Sequence, residues 1–228
     1  MKTVLKIILI VGISFFIKPN QFFPQNQFNQ LADAVIKKDT LKIEQLLQSG
    51  VDINIQHSTS GTTTLMIASS YYYYDDVVEY LINKGADVNL KDNEGKTALL
   101  WAASNSLPNA KILVENGAKV NIAANDGMTP FLQATLGISS GKVPFEICEL
   151  LRKKGANINA ALNKKNASGW TALHFAATNG DVELVKYLIK YGAKISKATS
   201  EGSTPLFLAK LEGNDEVVKI LKNAGAKE

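Results

Sequence analysis

The chain has a single cysteine and two histidines among 228 residues. Cys148 alone excludes an internal disulfide and a cysteine-built zinc site. His57 and His174 are too few, and too far apart in the chain, to mark a metal centre. No metal and no cofactor are therefore expected. Surplus charge of one sign is also missing. The formal net charge is +4, but Lys2, Lys6 and Lys18 lie close to the N-terminus, and without those three the remainder carries +1. A body so balanced has no electrostatic footprint for nucleic acid. Gly137-Ile138-Ser139-Ser140-Gly141 has the G-x-S-x-G spacing of a hydrolase nucleophile, which needs a strand to deliver the serine and an acid ahead of the histidine. A helical segment precedes it here, and no aspartate lies between Ser139 and His174. An enzyme is not expected, and no catalytic residue is assigned.

Long apolar runs are scarce too. Two lysines open the chain, then Ile7 to Ile17 forms an eleven-residue apolar run. That suits the core of a signal peptide and falls short of the ~20 residues a membrane-spanning helix needs. A small-x-small cleavage site is absent, since Gly12 and Ser14 are the last small residues before Ala32. No cysteine follows the run, which speaks against a bacterial lipoprotein. Residues 1–19 read as a signal peptide or N-terminal anchor. The expectation is an exported protein, periplasmic or secreted, touching a membrane only through that segment if it is not cleaved. A bias to Ile, Asn and Lys points to a bacterial source. Residues 20–30, rich in Asn, Gln and Phe, read as an irregular linker.

What the chain has in quantity is regularly placed glycine. One series falls at Gly61, Gly95, Gly127, Gly169 and Gly202, spaced by 34, 32, 42 and 33 residues. A second falls at Gly50, Gly85, Gly117, Gly155, Gly192 and Gly225. The stretch from Gly169 shows what each period encodes. Thr171 suits a helix N-cap, with its hydroxyl free to accept from the first turn. Leu173, Ala176 and Ala177 give a short helix with a small, packable face. Gly180-Asp181 ends it, and Val182, Val185, Leu188 and Ile189 form the apolar stripe of a second helix. Gly192 then suits a left-handed C-cap. Such a pair cannot bury its faces alone and must stack on its neighbours.

A period near 33 carrying Thr171-Ala172-Leu173-His174-Phe175-Ala176, Thr204-Pro205-Leu206-Phe207-Leu208-Ala209 and Thr129-Pro130-Phe131 resembles the ankyrin repeat. Thr97-Ala98-Leu99-Leu100-Trp101-Ala102 and the Gly-Ala-x-x-Asn endings at Gly85, Gly117 and Gly155 agree with it. The fold class that follows is an all-α repeat, an ankyrin-type solenoid of helix-turn-helix units with short β-turn or hairpin tips. It would occupy residues 31–228, with an N-cap at 31–57. Repeats 1 to 5 would fall at about 58–91, 92–123, 124–165, 166–198 and 199–228. Lys219, Lys222, Lys227 and Glu228 suggest a polar C-terminal cap.

Departures from the period draw attention. Tyr71-Tyr72-Tyr73-Tyr74 in repeat 1 either plugs the inter-repeat core or presents an aromatic patch, since neighbours on a helix differ by ~100°. Repeat 3 has 28 positions between its glycines against 23 in repeat 4. The surplus falls in 137–144, and a second extension surrounds 161–166; both suggest protruding loops. Asn166-Ala167-Ser168 is a glycosylation sequon that matters only in a eukaryotic secretory pathway. Cys148 reads as a buried structural thiol, and Arg152-Lys153-Lys154 as a helix C-terminus complemented by cations.

Function is implied by the resemblance. Ankyrin stacks bind protein partners with turn tips and the exposed side of the short first helices. Carried onto this chain, the contact residues are Thr62 and Tyr71, then Glu94, Lys96 and Asn105, then Asp126 and Met128. Ser168, Trp170, Thr178, Asn179, Glu201 and Ser203 complete the set. Trp170 stands first among them, as an aromatic on a turn tip without an obvious core to fill, its alternative being to pack on Leu162. Trp101, at the position of Phe175, is either core or groove lining or a ligand contact. Alternatives of other kinds are an accessory or protective factor for an envelope enzyme, and an inhibitor or immunity-like binder of a toxin.

Overall fold

The computed structural model describes residues 24–163 and 168–227. Among them are twelve helices in six pairs. They are α1 Pro24–Ile36 with α2 Thr40–Gln48, α3 Thr64–Ser70 with α4 Asp75–Asn83, and α5 Ala98–Ala103 with α6 Leu107–Glu115. The remainder are α7 Pro130–Ser139 with α8 Glu146–Lys153, α9 Ala172–Asn179 with α10 Val182–Lys190, and α11 Pro205–Leu211 with α12 Asp215–Asn223. The odd-numbered helices pack side by side in chain order as an inner layer, and the even-numbered helices lie behind them. Extended structure among the described residues is limited to isolated bridges, Gln56 with Thr63 and Ala161 with Thr171. This is the all-α repeat solenoid that the glycine spacing implies.

Local chemistry starts three of the inner helices in the same way. The hydroxyls of Thr63, Thr129 and Thr204 accept from the backbone N–H three residues on, which satisfies one of the first-turn donors. Repeat 4 differs in detail from the simple cap expected at Thr171. There His174 Nδ1 lies 2.8 Å from the Thr171 hydroxyl and 3.2 Å from its backbone N–H. Its Nε2 faces the Ser203 carbonyl at 3.3 Å. A carbonyl only accepts, so Nε2 carries the proton and Nδ1 receives both Thr171 donors. The imidazole, fully buried, thus joins repeats 4 and 5. Gly192 has φ +89°, as a left-handed cap requires.

Stacking closes the core. Ala176 and Ala177 of α9 are fully buried between α7 and α11. Cys148 is fully buried as well, and burial pushes its thiol up to about 12, leaving it inert. An asparagine at the end of the first four ending runs reaches the next repeat. Asn54, Asn89, Asn121 and Asn159 donate from Nδ2 to the carbonyls of Gly85, Gly117, Gly155 and Gly192 at 2.9–3.2 Å. Their Oδ1 atoms accept from the N–H of Asp87, Lys119, Asn157 and Lys194 at 2.8–2.9 Å. The turn tips repeat the device with backbone groups: Asn93, Asn125, Asn163 and Ser200 donate to Ser60, Glu94, Asp126 and Ser168 at 2.8–2.9 Å.

Four features depart from what the sequence suggests. Composition makes 20–30 a linker, yet helix α1 already runs from Pro24 and Phe28 is 4% exposed. Phe28 sits edge-on to His57 at 5.1 Å, so the apolar residues of that segment pack onto the cap. The four tyrosines are not helical. They form the turn between α3 and α4, where Tyr74 bonds the Ile36 carbonyl at 2.7 Å and Tyr72 and Tyr73 face solvent. The surplus at 137–144 does not simply protrude. It lengthens α7, and Val143 folds back at 6% exposure against Gly137, where a Cβ would come within 2.7 Å of Val143 Cγ2. The C-terminal face is not polar throughout, since Phe207 and Leu211 are 54% and 67% exposed. The leader at 1–19 and the sequon asparagine lie outside the described residues.

Replacing Ala176 with Glu puts a charge into this closed contact, and a loss on the order of 3 kcal/mol or more is expected in urea unfolding. An unchanged midpoint would mean that α9 is packed in another register. His174 gives a pH signature. Burial holds its pKa below the ordinary 6.5, so the native chain keeps it neutral while the unfolded chain protonates near 6.5. Its contribution is complete above that pH and is lost as pH falls toward the native value. Between pH 7 and pH 5 the wild type should therefore lose stability relative to His174→Gln. Parallel unfolding curves for the two would contradict a neutral, inter-repeat histidine.

Candidate protein-interaction surface

The inner helices and tips of repeats 1 and 2 enclose three adjoining grooves. The first, about 350 Å³, is lined by Ile36, Thr62, Met66, Ile67, Ser70, Tyr71 and Trp101. It arises because Ile67 and Trp101 hold the same register on α3 and α5, four residues after Thr63 and Thr97, on the side that no other helix layer covers. The second, about 370 Å³, lies between the tips and is lined by Thr59, Ser60, Thr62, Asp92, Asn93, Glu94, Lys96 and Trp101. The third, about 330 Å³, continues to the following tip with Asn93, Glu94, Lys96, Asn125 and Asp126. Thr62 and Trp101 belong to the first two, and Asn93, Glu94 and Lys96 to the last two. The result is a trough with an apolar half and a polar half.

Its electrostatics are fixed by neighbours. Lys96 Nζ stands 5.1 Å above the Trp101 ring and 2.5 Å from the Glu94 carboxylate. Asp92 is turned inward, its Oδ1 accepting the N–H groups of Glu94 and Lys96 at 2.9 and 2.8 Å. It shapes the tip and leaves Glu94 as the projecting acid. Trp101 Nε1–H is shielded from solvent and meets no acceptor among the described residues. Beside the apolar half, Tyr72 and Tyr73 pack edge to face at 4.6 Å, and Tyr71 stacks on Tyr74 at 4.7 Å. Lys38 anchors that turn to the cap, 2.8 Å from Asp76 and 4.7 Å above the Tyr74 ring, and donates to the Tyr73 carbonyl. The Asp76 carboxyl is held below its usual range mainly by this lysine.

Five of the residues chosen from sequence meet here: Thr62, Tyr71, Glu94, Lys96 and Asp126. Met128 packs partly into the core next to them. Asn105 bonds the Trp101 carbonyl at 2.8 Å and so finishes α5. The others lie toward repeats 4 and 5. Thr178 bonds its own helix at 2.9 Å, Asn179 is exposed, and the Ser203 carbonyl is taken up by His174. Glu201 is exposed on its tip, and Ser168 accepts from Ser200. Trp170 is not a free tip aromatic. It is half-buried, its ring 5.0 Å from Phe175 and 5.9 Å from His174, while its carbonyl accepts from Leu162 N–H at 2.9 Å. Ile36, Met66, Ile67 and Ser70 were missing from the sequence-derived set. The signal that could have found Ile67 was its register with Trp101 and Phe175.

Chemistry beyond binding finds little support. Ser139 ends helix α7 rather than following a strand, and its hydroxyl lies 3.3 Å from Asp181 Oδ2, the carboxylate that caps α10. Among the described residues no group of three His, Cys, Asp or Glu side chains could hold a metal ion. Among them, too, no helix is long and apolar enough to cross a membrane.

Comparison with known proteins agrees with the geometry. The family model for ankyrin repeats (3 copies) matches residues 31–124 and again 122–228. Alpha-latrotoxin-Lg1a of Latrodectus geometricus is 35% identical over 113 residues, 49% of this chain and 8% of the toxin. The transient receptor potential cation channel subfamily A member 1 of Drosophila melanogaster is 29% identical over 120 residues, 53% of this chain and 10% of the channel. The human SH3 and multiple ankyrin repeat domains protein 2 is 29% identical over 153 residues, 67% of this chain and 8% of that protein. The chain thus spans a tenth or less of each of these relatives. By its stacked helix pairs, its glycine and asparagine register and the match along nearly all of its length, the chain belongs to the ankyrin-repeat family, whose members serve as protein–protein interaction modules.

Proposed function

We propose that this chain is a non-enzymatic binding module that holds a protein partner in the trough of repeats 1 and 2, rather than at the tips of repeats 4 and 5. The observation that carries this is the convergence of two grooves on Trp101 and Thr62, beside three exposed tyrosines, with a third groove joined to them through Asn93, Glu94 and Lys96. Large aromatics give much contact area at low entropy cost, and they dominate interface energetics. The projecting Glu94 supplies a polar contact at the boundary between the apolar and polar halves. A partner segment with a large apolar side chain next to polar backbone suits both. Support for export comes from residues 1–17 alone, a basic start followed by the short apolar run.

One experiment addresses both parts. Immobilised chain is used to capture partners separately from cytosolic and envelope fractions, with Trp101→Ala, Thr62→Arg and Trp170→Ala alongside. A partner from the envelope fraction should lose about 2 kcal/mol or more of affinity, roughly thirtyfold, with Trp101→Ala. Thr62→Arg should act likewise by blocking the trough, while Trp170→Ala binds nearly as the wild type does. The reverse ranking would move the site to repeat 4. A partner found only in the cytosolic fraction would contradict export.

A further inference from the structure

The outer helix layer is not evenly closed. Helices α4 and α6, α6 and α8, and α10 and α12 run closely side by side, whereas α2 stands further from α4 and α8 further from α10. The first of these gaps is filled. Tyr80 of α4 donates its hydroxyl to Glu44 of α2 at 2.9 Å, and Lys84 crosses to the same carboxylate at 2.5 Å. The second gap is open. A groove of about 290 Å³ remains there, lined by Phe145, Glu183, Lys186, Tyr187 and Lys190. Tyr187 holds the place of Tyr80, five residues before the closing glycine, and Glu149 holds that of Glu44. Here, though, Glu149 is taken by Arg152 of its own helix at 3.0 Å, and among the described residues no ion pair spans the gap. Phe145, where the insertion of repeat 3 rejoins the period, meets Tyr187 edge to face at 4.6 Å instead.

Charge around the groove is sorted by end. Glu183 is engaged by Lys186 at 2.8 Å, and Glu146 lies in the first turn of α8, away from the C-terminal ends of the two helices. At those C-terminal ends Lys153 and Lys190 share a register, two residues before their closing glycines. Both are exposed, as is Lys154, and among the described residues none of the three pairs with a carboxylate. Aromatic surface continues toward that end, with Tyr191 4.7 Å from Tyr187 and the Arg152 guanidinium 4.0 Å above the Tyr191 ring. We propose that this groove is a second docking surface, on the face of the stack opposite the trough. Its occupant is an acidic peptide segment of a partner protein, carrying one aromatic side chain. The aromatic ring seats between Phe145 and Tyr187, whose edge-to-face geometry already suits a third ring. Carboxylates beside it meet Lys190 and Lys153, which a neutral or basic segment would leave unanswered. This surface does not rest on the trough, and a chain with both joins two partners on opposite faces.

A displayed library of short random peptides, panned on the immobilised full chain, tests this. The selected peptides should include a class with aspartate or glutamate clustered beside one aromatic residue. That class should lose at least ~10-fold in affinity with Lys190→Glu and with Phe145→Ser, and should weaken as salt is raised. Lys190→Glu alters an exposed side chain and costs little stability, so it stays decisive even if Phe145→Ser unsettles the start of α8. The same class should bind Trp101→Ala as tightly as the wild type. Peptides that depend on Trp101 report on the trough instead, so the two readings fail separately. The proposal is overturned if no selected peptide depends on Lys190 and Phe145, or if those that do are neutral or basic.

Discussion

From the N-terminal cap to repeat 4, each unit is tied to the next by one asparagine carboxamide. Asn54, Asn89, Asn121 and Asn159 use both ends of that group, donating to a glycine carbonyl and accepting from an N–H two residues beyond it. A helix C-terminus leaves carbonyls without partners, and the bond from the previous repeat satisfies one of them. Because the contact is bidentate, it fixes rotation as well as distance. The inner helices are thereby held close enough for Ala68, Ala102, Ala134, Ala176 and Ala209 to be fully buried in the same register. No larger side chain than alanine recurs there, since nothing larger fits between helices so close.

The trough follows from that register. Stacking at fixed rotation places Ile67 beside Trp101, and the tip bonds from Asn93 and Asn125 place Glu94 beside Asp126. None of these contacts is encoded within a single repeat. The trough is consequently a property of the stack, and its depth changes wherever a tip or inner helix changes length. Repeat 3, with its longer α7, breaks the periodic surface just beyond Asp126. The three joined grooves accordingly lie on the N-terminal side of that irregularity.

Much of the fold was legible in the sequence, because glycine, threonine and asparagine mark backbone conformations that few other residues serve as well. The bounds of the N-terminal cap were not, because Asn and Gln in residues 24–30 look polar while Phe28 alone supplies the buried contact. The tyrosine run was ambiguous because a helical angle says nothing about residues that turn out to form a turn. The site was only half legible. Thr62, Glu94, Lys96 and Asp126 flank the tip glycines and Tyr71 ends α3, and the grooves bring these five together. Trp170 misled because a tip position predicts exposure only when the turn leading into it is short. Here the longer turn brings Leu162 and the bridge at Ala161 close to it, and the indole packs on Phe175.

The central claim is that inter-repeat contacts, not the individual helix pairs, hold this structure. Amide hydrogen exchange measured by NMR under native conditions tests it most directly. Protection should peak in the inner helices covered on both sides, Leu99–Ala102 and Leu173–Ala176, and fall toward α11 and α12 at the uncovered end. Asn121→Ala should lower protection across both repeats 2 and 3. A variant that lost protection only within its own repeat would show that the helix pairs stand alone, contrary to this account.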